Sequence, residues 1–196
     1  MAITLLSDAS VEPVTLAEAR TFCRETTTDK DAILSGLIVT ARKMAEHETG
    51  RSLVQEMWKL TLDQFPVAIE IPRGPLISVH TVRYLDATET WRTIDPSCYV
   101  VDAESVPAWV VPGTNYAWPE TAERLNAVEV IFWAGYGDTA ATVPEPIKTW
   151  MLIRIAHWLD NPSASNDASG AMRNDSVRVL GFLDRMLDEY RVVNIP

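Results

Sequence analysis

Between Asp31 and Gly50, in DAILSGLIVTARKMAEHETG, apolar residues recur at steps of three and four. That spacing places Ile33, Leu34, Leu37, Ile38, Ala41, Met44 and Ala45 on one stripe and predicts an amphipathic helix. Asp29 or Asp31 is expected to cap its start, because a short side-chain oxygen accepts from the orphan amides of a first turn. Gly50 is expected to end it, since glycine enters the left-handed conformation without a Cβ clash. A shorter helix is predicted just upstream, from Leu16 to about Glu25. There Thr15 and Glu18 form a T-x-x-E capping box. Pro13 keeps the preceding segment extended. Thr26, Thr27 and Thr28 link the two helices so closely that they are expected to run antiparallel.

After Gly50 the period falls to two. In MWKLTLDQF, Trp58, Leu60 and Leu62 point one way while Lys59, Thr61 and Asp63 point the other, the pattern of a half-buried strand. VAIEI, Val67 to Ile71, reads as a second strand and PRGP, Pro72 to Pro75, as a rigid turn. Leu76 to Leu85 and Thr90 to Ile94 predict a hairpin across DATE, with Val79, Val82, Tyr84 and Trp91 as β-favouring members. Cys98 to Val101 and Ala108 to Val111 are shorter strands. Gly113 to Arg124 is a loop carrying Tyr116 and Trp118. AVEVIFWA, Ala127 to Ala134, is a strand that leaves through the turn Gly135-Tyr136-Gly137.

The helical period returns at Pro144-Glu145-Pro146, where proline suits a first turn. This helix runs to about Asp160 and is apolar nearly all round, which marks it as central or as covered by a neighbouring subunit. Arg154 interrupts it and needs an acceptor, either an internal carboxylate or a group on a neighbour. Asn161 to Ser176 is rich in Ser, Asn, Asp and Ala and reads as a long flexible loop. A last helix follows from Val177 to Tyr190, then an apolar tail of Val192, Val193, Asn194, Ile195 and Pro196. The chain therefore reads as α+β: an α-helical layer or bundle formed by the N- and C-terminal helices, with a β-rich central insertion. It is taken as one domain, 1–196, with a helical hairpin over 1–52, a β-rich middle over 53–137 and C-terminal helices over 144–190. The candidate subunit or partner contacts are Arg154 and Trp158 on the apolar helix, and Val192, Val193 and Ile195 in the tail.

Composition narrows the function more than the fold. The 196 residues carry a formal charge of -10 and a pI of about 4.7. Gripping nucleic acid needs clustered Lys and Arg, so that class is disfavoured. An acidic wall past which DNA slides is compatible with the same charge. No apolar run reaches the length of a membrane span, and MAITLLSDAS lacks the basic start of a signal peptide. Cys23 and Cys98 fall in different elements and are expected as free thiols. His47, His80 and His157 also lie in different elements, with no partner at metal-ligand spacing. Glu46-Glu48 and Asp188-Glu189 read as solvated helix faces. Nucleophile-elbow, phosphate-loop and dinucleotide-binding patterns are missing, so neither catalysis nor a cofactor is expected.

In order along the chain, PVTLAEART, ETGRSL, WKLTLDQFP, IPRGPLISVHTVRY, CYVV, NAVEVIFWAGYG and VPEPIKTWMLIRIAHWLDN resemble the head-tail connector (head completion or adaptor) proteins of long-tailed phages and prophages. The resemblance runs from Pro13 to about Asn161. It implies a homo-oligomeric ring, dodecameric when assembled, beneath the portal protein in the virion neck. It also implies assembly in the bacterial host cytoplasm. Such a ring extends the DNA channel without binding DNA specifically. It receives a tail-proximal connector or tail completion protein, and has no membrane partner. A ring needs head-to-tail contacts, so two different patches of each subunit should be adhesive. Two other classes stay open. One is a monomeric binding module that uses the Tyr116–Trp118 loop, marked by a monomer with that loop exposed. The other is a hydrolase with a site between the β layer and the helices, marked by titratable residues converging in one pocket.

Overall fold

Valine, isoleucine and aromatic residues alternating on Val128–Ala134 build the central strand of a five-stranded antiparallel sheet. A computed structural model describes residues 1–161 and 185–192 of the chain. Its strands are β1 (Ala2–Ser7), β2 (Glu56–Leu62), β3 (Ile69–Ile71), β4 (Leu76–Leu85), β5 (Trp91–Thr93), β6 (Tyr99–Asp102), β7 (Ala108–Pro112) and β8 (Val128–Ala134). Its helices are α1 (Leu16–Phe22), α2 (Asp31–Thr49) and α3 (Glu145–Asp160), followed by a 3-10 helix over Arg185–Tyr190. Helix and sheet are both substantial and both sheets are antiparallel, which is the expected α+β class.

The chain divides into two compact units: Met1–Ser10 with Gly50–Asp138, and Val11–Thr49 with Thr139–Pro196. The first is a β unit. Its larger sheet has the order β1-β2-β8-β4-β5 and its smaller one the order β3-β7-β6. The β2–β8 register sets Trp58 opposite Phe132 and Leu60 opposite Val130, so one face of the large sheet is continuously apolar. Ile69, Ile71, Tyr99, Ala108 and Val110 of the small sheet join those residues in one core. On the other face of the large sheet, Glu129 lies between Lys59 at 3.3 Å and Arg83 at 2.5 Å. The hairpin of β4 and β5 forms as expected, with Tyr84 opposite Arg92. β1 was not expected: the sequence shows only a short apolar patch there, and its partner β2 lies some fifty residues on.

A clamp closes the β unit. Ser52 N donates to Gly74 O at 3.1 Å, Gly135 N to Pro75 O at 2.9 Å, and Gln55 N to Gly137 O at 2.7 Å. A Cβ on Gly135 would lie 2.5 Å from the carbonyl carbon and oxygen of Val54, and its φ is +134°. Only glycine fits there. Ser52 Oγ donates to Glu56 at 2.9 Å and accepts from the Trp58 indole at 2.9 Å. Arg73 stacks on Trp58 at 5.0 Å. Three of the segments that carry the resemblance, GRS, PRGP and AGYG, thus meet to shape the fold.

The second unit is helical. Thr15 caps α1 with the reciprocal box expected: Glu18 N donates to Thr15 Oγ1 at 3.2 Å and Thr15 N to Glu18 Oε2 at 2.7 Å. The helix stops at Phe22, short of Glu25, because the chain turns through Arg24 at φ 56°. α2 has the predicted span, and Gly50 follows it at φ 70°. Its first carbonyl acceptor belongs to Lys30, and Asp31 stands inside the first turn, so neither Asp29 nor Asp31 is the cap. α2 packs against both α1 and α3, and the 3-10 helix packs against α2 and α3. The predicted helix from Val177 to Tyr190 is described only over its last six residues, which are 3-10. The rest of it, and the loop predicted over 161–176 apart from Asn161, lie outside the described residues.

Candidate functional site

The apolar helix singled out for assembly, α3, buries Ile147, Trp150, Met151, Arg154 and Ile155, a stripe at helical spacing. Arg154 is only 6% exposed, and its guanidinium stacks on the Trp150 ring at 5.0 Å. A buried arginine over an indole gains a cation–π contact and packs its stem. Trp158, one turn on, is half-buried, as are Leu152, Ile153 and Leu159 on the other faces. Val192 is also half-buried, and its amide donates to Thr49 O at 2.8 Å. Arg191 pairs with Glu48 at 3.2 Å, so the start of the tail is tied to the end of α2. Val193 and Ile195 lie outside the described residues. The structure therefore brings Arg154 into the interior and leaves Trp158 and Val192 reaching the surface.

The face that α2 buries keeps Leu34, Ile38, Ala41 and Ala45 of the expected stripe and is turned toward Arg42 and Glu46. Ile33 is 56% exposed, whereas Arg42 is 2% and Glu46 4% exposed. Glu46 was expected on a solvated face. Instead it lies 3.5 Å from Arg42 one turn earlier, and Arg42 donates to Glu12 at 2.8 and 3.2 Å. Lys43 is also 3.5 Å from Glu46. A bidentate arginine between two carboxylates can be buried because its charge is met on both sides. The i,i+4 Arg–Glu spacing was the available sequence signal. It is equally the pattern of an exposed pair, which is why it misled.

Apolar surface remains open on the helical unit. A groove of about 460 Å³ is lined by Val11, Val14, Leu16, Ile38, Val39 and Ala140. A second, of about 390 Å³, is lined by Ala17, Thr21, Phe22 and Leu152. The β unit has a larger, more polar groove of about 860 Å³ between Asp63–Phe65 and the Trp118–Leu125 loop. Here Phe65 and Trp118 stack at 4.8 Å, with Tyr116 edge-on to Trp118 at 6.5 Å and Tyr84 edge-on to Phe65 at 5.8 Å. Tyr116 and Trp118 are half-buried and serve the core, so the aromatic loop is not the exposed probe that a binding module needs.

The perturbed titratable groups have structural causes. Asp86 is held far below the usual carboxylate range by the Thr88 hydroxyl, Arg92 and the Thr90 and Thr88 amides, which together fix the β4–β5 turn. Asp95 and Asp102 are lowered in the same way by Ser97 and Ser105 in their own turns. Burial raises the Cys23 thiol, and Asp160 and Glu25 raise it further, so it stays protonated and is a poor nucleophile. His47 lies on α2, His80 on β4 and His157 on α3. Among the described residues no three His, Cys, Asp or Glu side chains are placed to hold a metal ion, and no helix is long and apolar enough to cross a membrane.

The fold decides what these surfaces are compared with. Residues 13–86 match the phage gp6-like head-tail connector protein family. That match bears out the resemblance read from the sequence. No curated protein matches the chain. Among solved structures, the chain is similar to one in the neck of an empty GTA particle computed with C6 symmetry. The TM-score is 0.78 at 18% identity, covering 100% of this chain and 98% of the other. It is also similar to a chain in the virion of the native gene transfer agent (GTA) particle, with a TM-score of 0.75 at 18% identity and the same coverage. A third similar chain is in the neck of the native GTA particle computed with C12 symmetry, with a TM-score of 0.74 at 18% identity and again the same coverage. The common fold thus spans both units, well beyond the segment that the family model covers.

Proposed function

We propose that this chain is a structural head-tail connector that works in the neck of a phage-like particle, and not an enzyme. The observation that carries the proposal is the coincidence of two matches: the connector family over 13–86, and the fold of neck chains over the full length. The two necks computed with C6 and C12 symmetry support a ring of many copies, with twelve as the expected number. In this role a helical layer from both ends of the chain carries the β-rich middle as an insertion. The ring sits under the portal protein and extends the DNA channel. It receives a tail-proximal connector or tail completion protein on its other side. Trp158 and Val192, with Val193 and Ile195 beyond, contact a neighbouring subunit or the portal, and buried Arg154 holds the α3 surface from within. The grooves beside Phe22 and Val39 add apolar area of the kind that subunit contacts cover.

The acidic charge fits a channel wall that DNA must not adhere to. Electron microscopy of the purified chain, alone and mixed with its portal, is the test. Closed rings seated on the portal are expected. A chain that stays monomeric in both samples would overturn the ring. Micromolar, salt-sensitive binding of duplex DNA by the free subunit would overturn the inert channel wall.

A further inference from the structure

The large sheet of the β unit ends in an open edge. Among the described residues β1 is its outermost strand, paired with β2 on one side only. It is six residues long, and every residue except Leu5 is exposed. An edge strand presents unpaired amides and carbonyls to any extended chain, and proteins ordinarily blunt such edges with charge, proline or brevity. The β5 and β3 edges are blunted. β5 and β3 have three residues each, with Arg92 and Glu70 in them. β1 has none of these devices: Met1–Ser7 contains no charged side chain and no proline, and Leu6 is 46% exposed. Its one irregularity, between Leu5 and Ser7, leaves Ala2–Leu5 in regular register.

We infer that β1 is the pairing edge between neighbouring copies of this chain, and that its partner is the β6 edge of the next copy. The inference rests on the ring of the proposed function, which sets a copy of the same chain on either side of each subunit. Unpaired backbone groups call for another extended strand, which neither a helix nor duplex DNA supplies. Two copies of a chain charged at -10 repel one another, so contact is favoured where charged side chains are missing. β1 is such a place, and β6 matches it over Tyr99–Val101, with its one charged residue, Asp102, at the end of the strand. β6 is four residues long, the length of the regular part of β1, and among the described residues it forms a free edge of the small sheet. Its Tyr99-Val100-Val101 run is uncharged, and Val100 is 55% exposed. Two different edges on one subunit give the head-to-tail contact that closes a ring, whereas β1 against β1 would stop at a dimer.

The test uses the full chain. Self-association is followed by sedimentation up to millimolar concentration and with portal added, and amide hydrogen exchange is compared in the free and assembled states. Amides of residues 2–5 and 99–102 are expected to exchange more slowly on assembly. Leu6→Lys and Val100→Lys are each expected to weaken association about tenfold, with unchanged melting. Ile3→Lys serves as a second β1 variant if Leu6→Lys disturbs folding. Assembly that leaves the edge amides exchanging as in the free chain would overturn the β1–β6 contact and leave the connector role standing. Protection of β1 alone, or dimers that survive Val100→Lys, would overturn β6 as the partner. A chain that stays monomeric even with portal would overturn both this contact and the ring.

Discussion

The β unit and the helical unit carry charge in different proportions and bury it in different settings. By sequence the β unit has thirteen Asp and Glu against six Lys and Arg, while the helical unit has fourteen against eleven. Most of the net acidity thus belongs to the β unit. The core between its two sheets is nonetheless apolar, with Trp58, Leu60, Val130 and Phe132 of the large sheet meeting Ile69, Ile71 and Val110 of the small one. The nearly balanced helical unit buries its charges, with Arg42, Glu46 and Arg154 all under 9% exposed. The sandwich leaves most of its carboxylates outside, where they set the surface potential, and buries only Glu56, held by Ser52 and Trp58, and Glu129, held by Lys59 and Arg83. A helical unit joined by a buried ion network is held at specific points, because such pairs tolerate only one geometry.

Five substitutions can break or sharpen that contrast. The largest effect is expected from Gly135→Val, which drives a Cβ into the Val54 carbonyl at a positive φ. A loss of more than about 4 kcal/mol is expected, since a backbone clash and a strained φ act together. Urea unfolding monitored by near-UV circular dichroism would register it; a stable variant would show that the clamp is dispensable. Next is Arg42→Met, which removes the guanidinium between Glu12 and Glu46 while Lys43 still reaches Glu46 at 3.5 Å, and should cost about 3 kcal/mol. Combining it with Glu46→Leu should recover much of that loss, because a well-packed apolar pair can replace a buried ion pair. If the single variant is as stable as the parent in the same urea assay, the network is not holding the helical unit.

A smaller effect is expected from Thr15→Ala, about 1 kcal/mol through loss of the α1 cap. Its pH dependence has a definite sign. Hydrogen bonds from the Thr15 hydroxyl and amide hold the Glu18 carboxyl below its ordinary value. The group therefore stabilises the fold fully above the ordinary glutamate range, and its contribution fades as pH falls through the folded-state value. The stability gap between parent and Thr15→Ala should accordingly narrow in acid, as thermal melts at pH 7 and pH 3 would reveal; a constant gap would rule out the box as its source. Asp188→Lys should do least, within about 0.5 kcal/mol, because that side chain is exposed at the end of the helical unit.

Much of the secondary structure was legible along the chain. The span of α2, the Thr15–Glu18 box, the left-handed Gly50, the alternation on β2 and the exits of β4 and β8 all depend on residues within a few positions of one another. Periodicity and φ preference act at that range, so the sequence alone determined them, and with them the α+β class and the absence of any familiar catalytic motif. The sequential order of such segments also carried the connector resemblance, which the match over 13–86 bears out.

Tertiary structure decided which face each element buries and which strands meet. The α2 stripe was read as centred on its most apolar residues. The structure rotates it so that Ile33 faces out and Arg42 and Glu46 face in, because Glu12, thirty residues earlier, supplies the charge that makes burial possible. β1 was invisible as a strand because an uncharged six-residue patch has no period of its own; β2 gives it one by pairing. Arg154 could have pointed inward or to a neighbour, and the ring of Trp150 settled where its guanidinium stacks. In each case the deciding partner lies beyond the local window. Contact across that distance depends on the three-dimensional course of the whole chain, which no local pattern encodes.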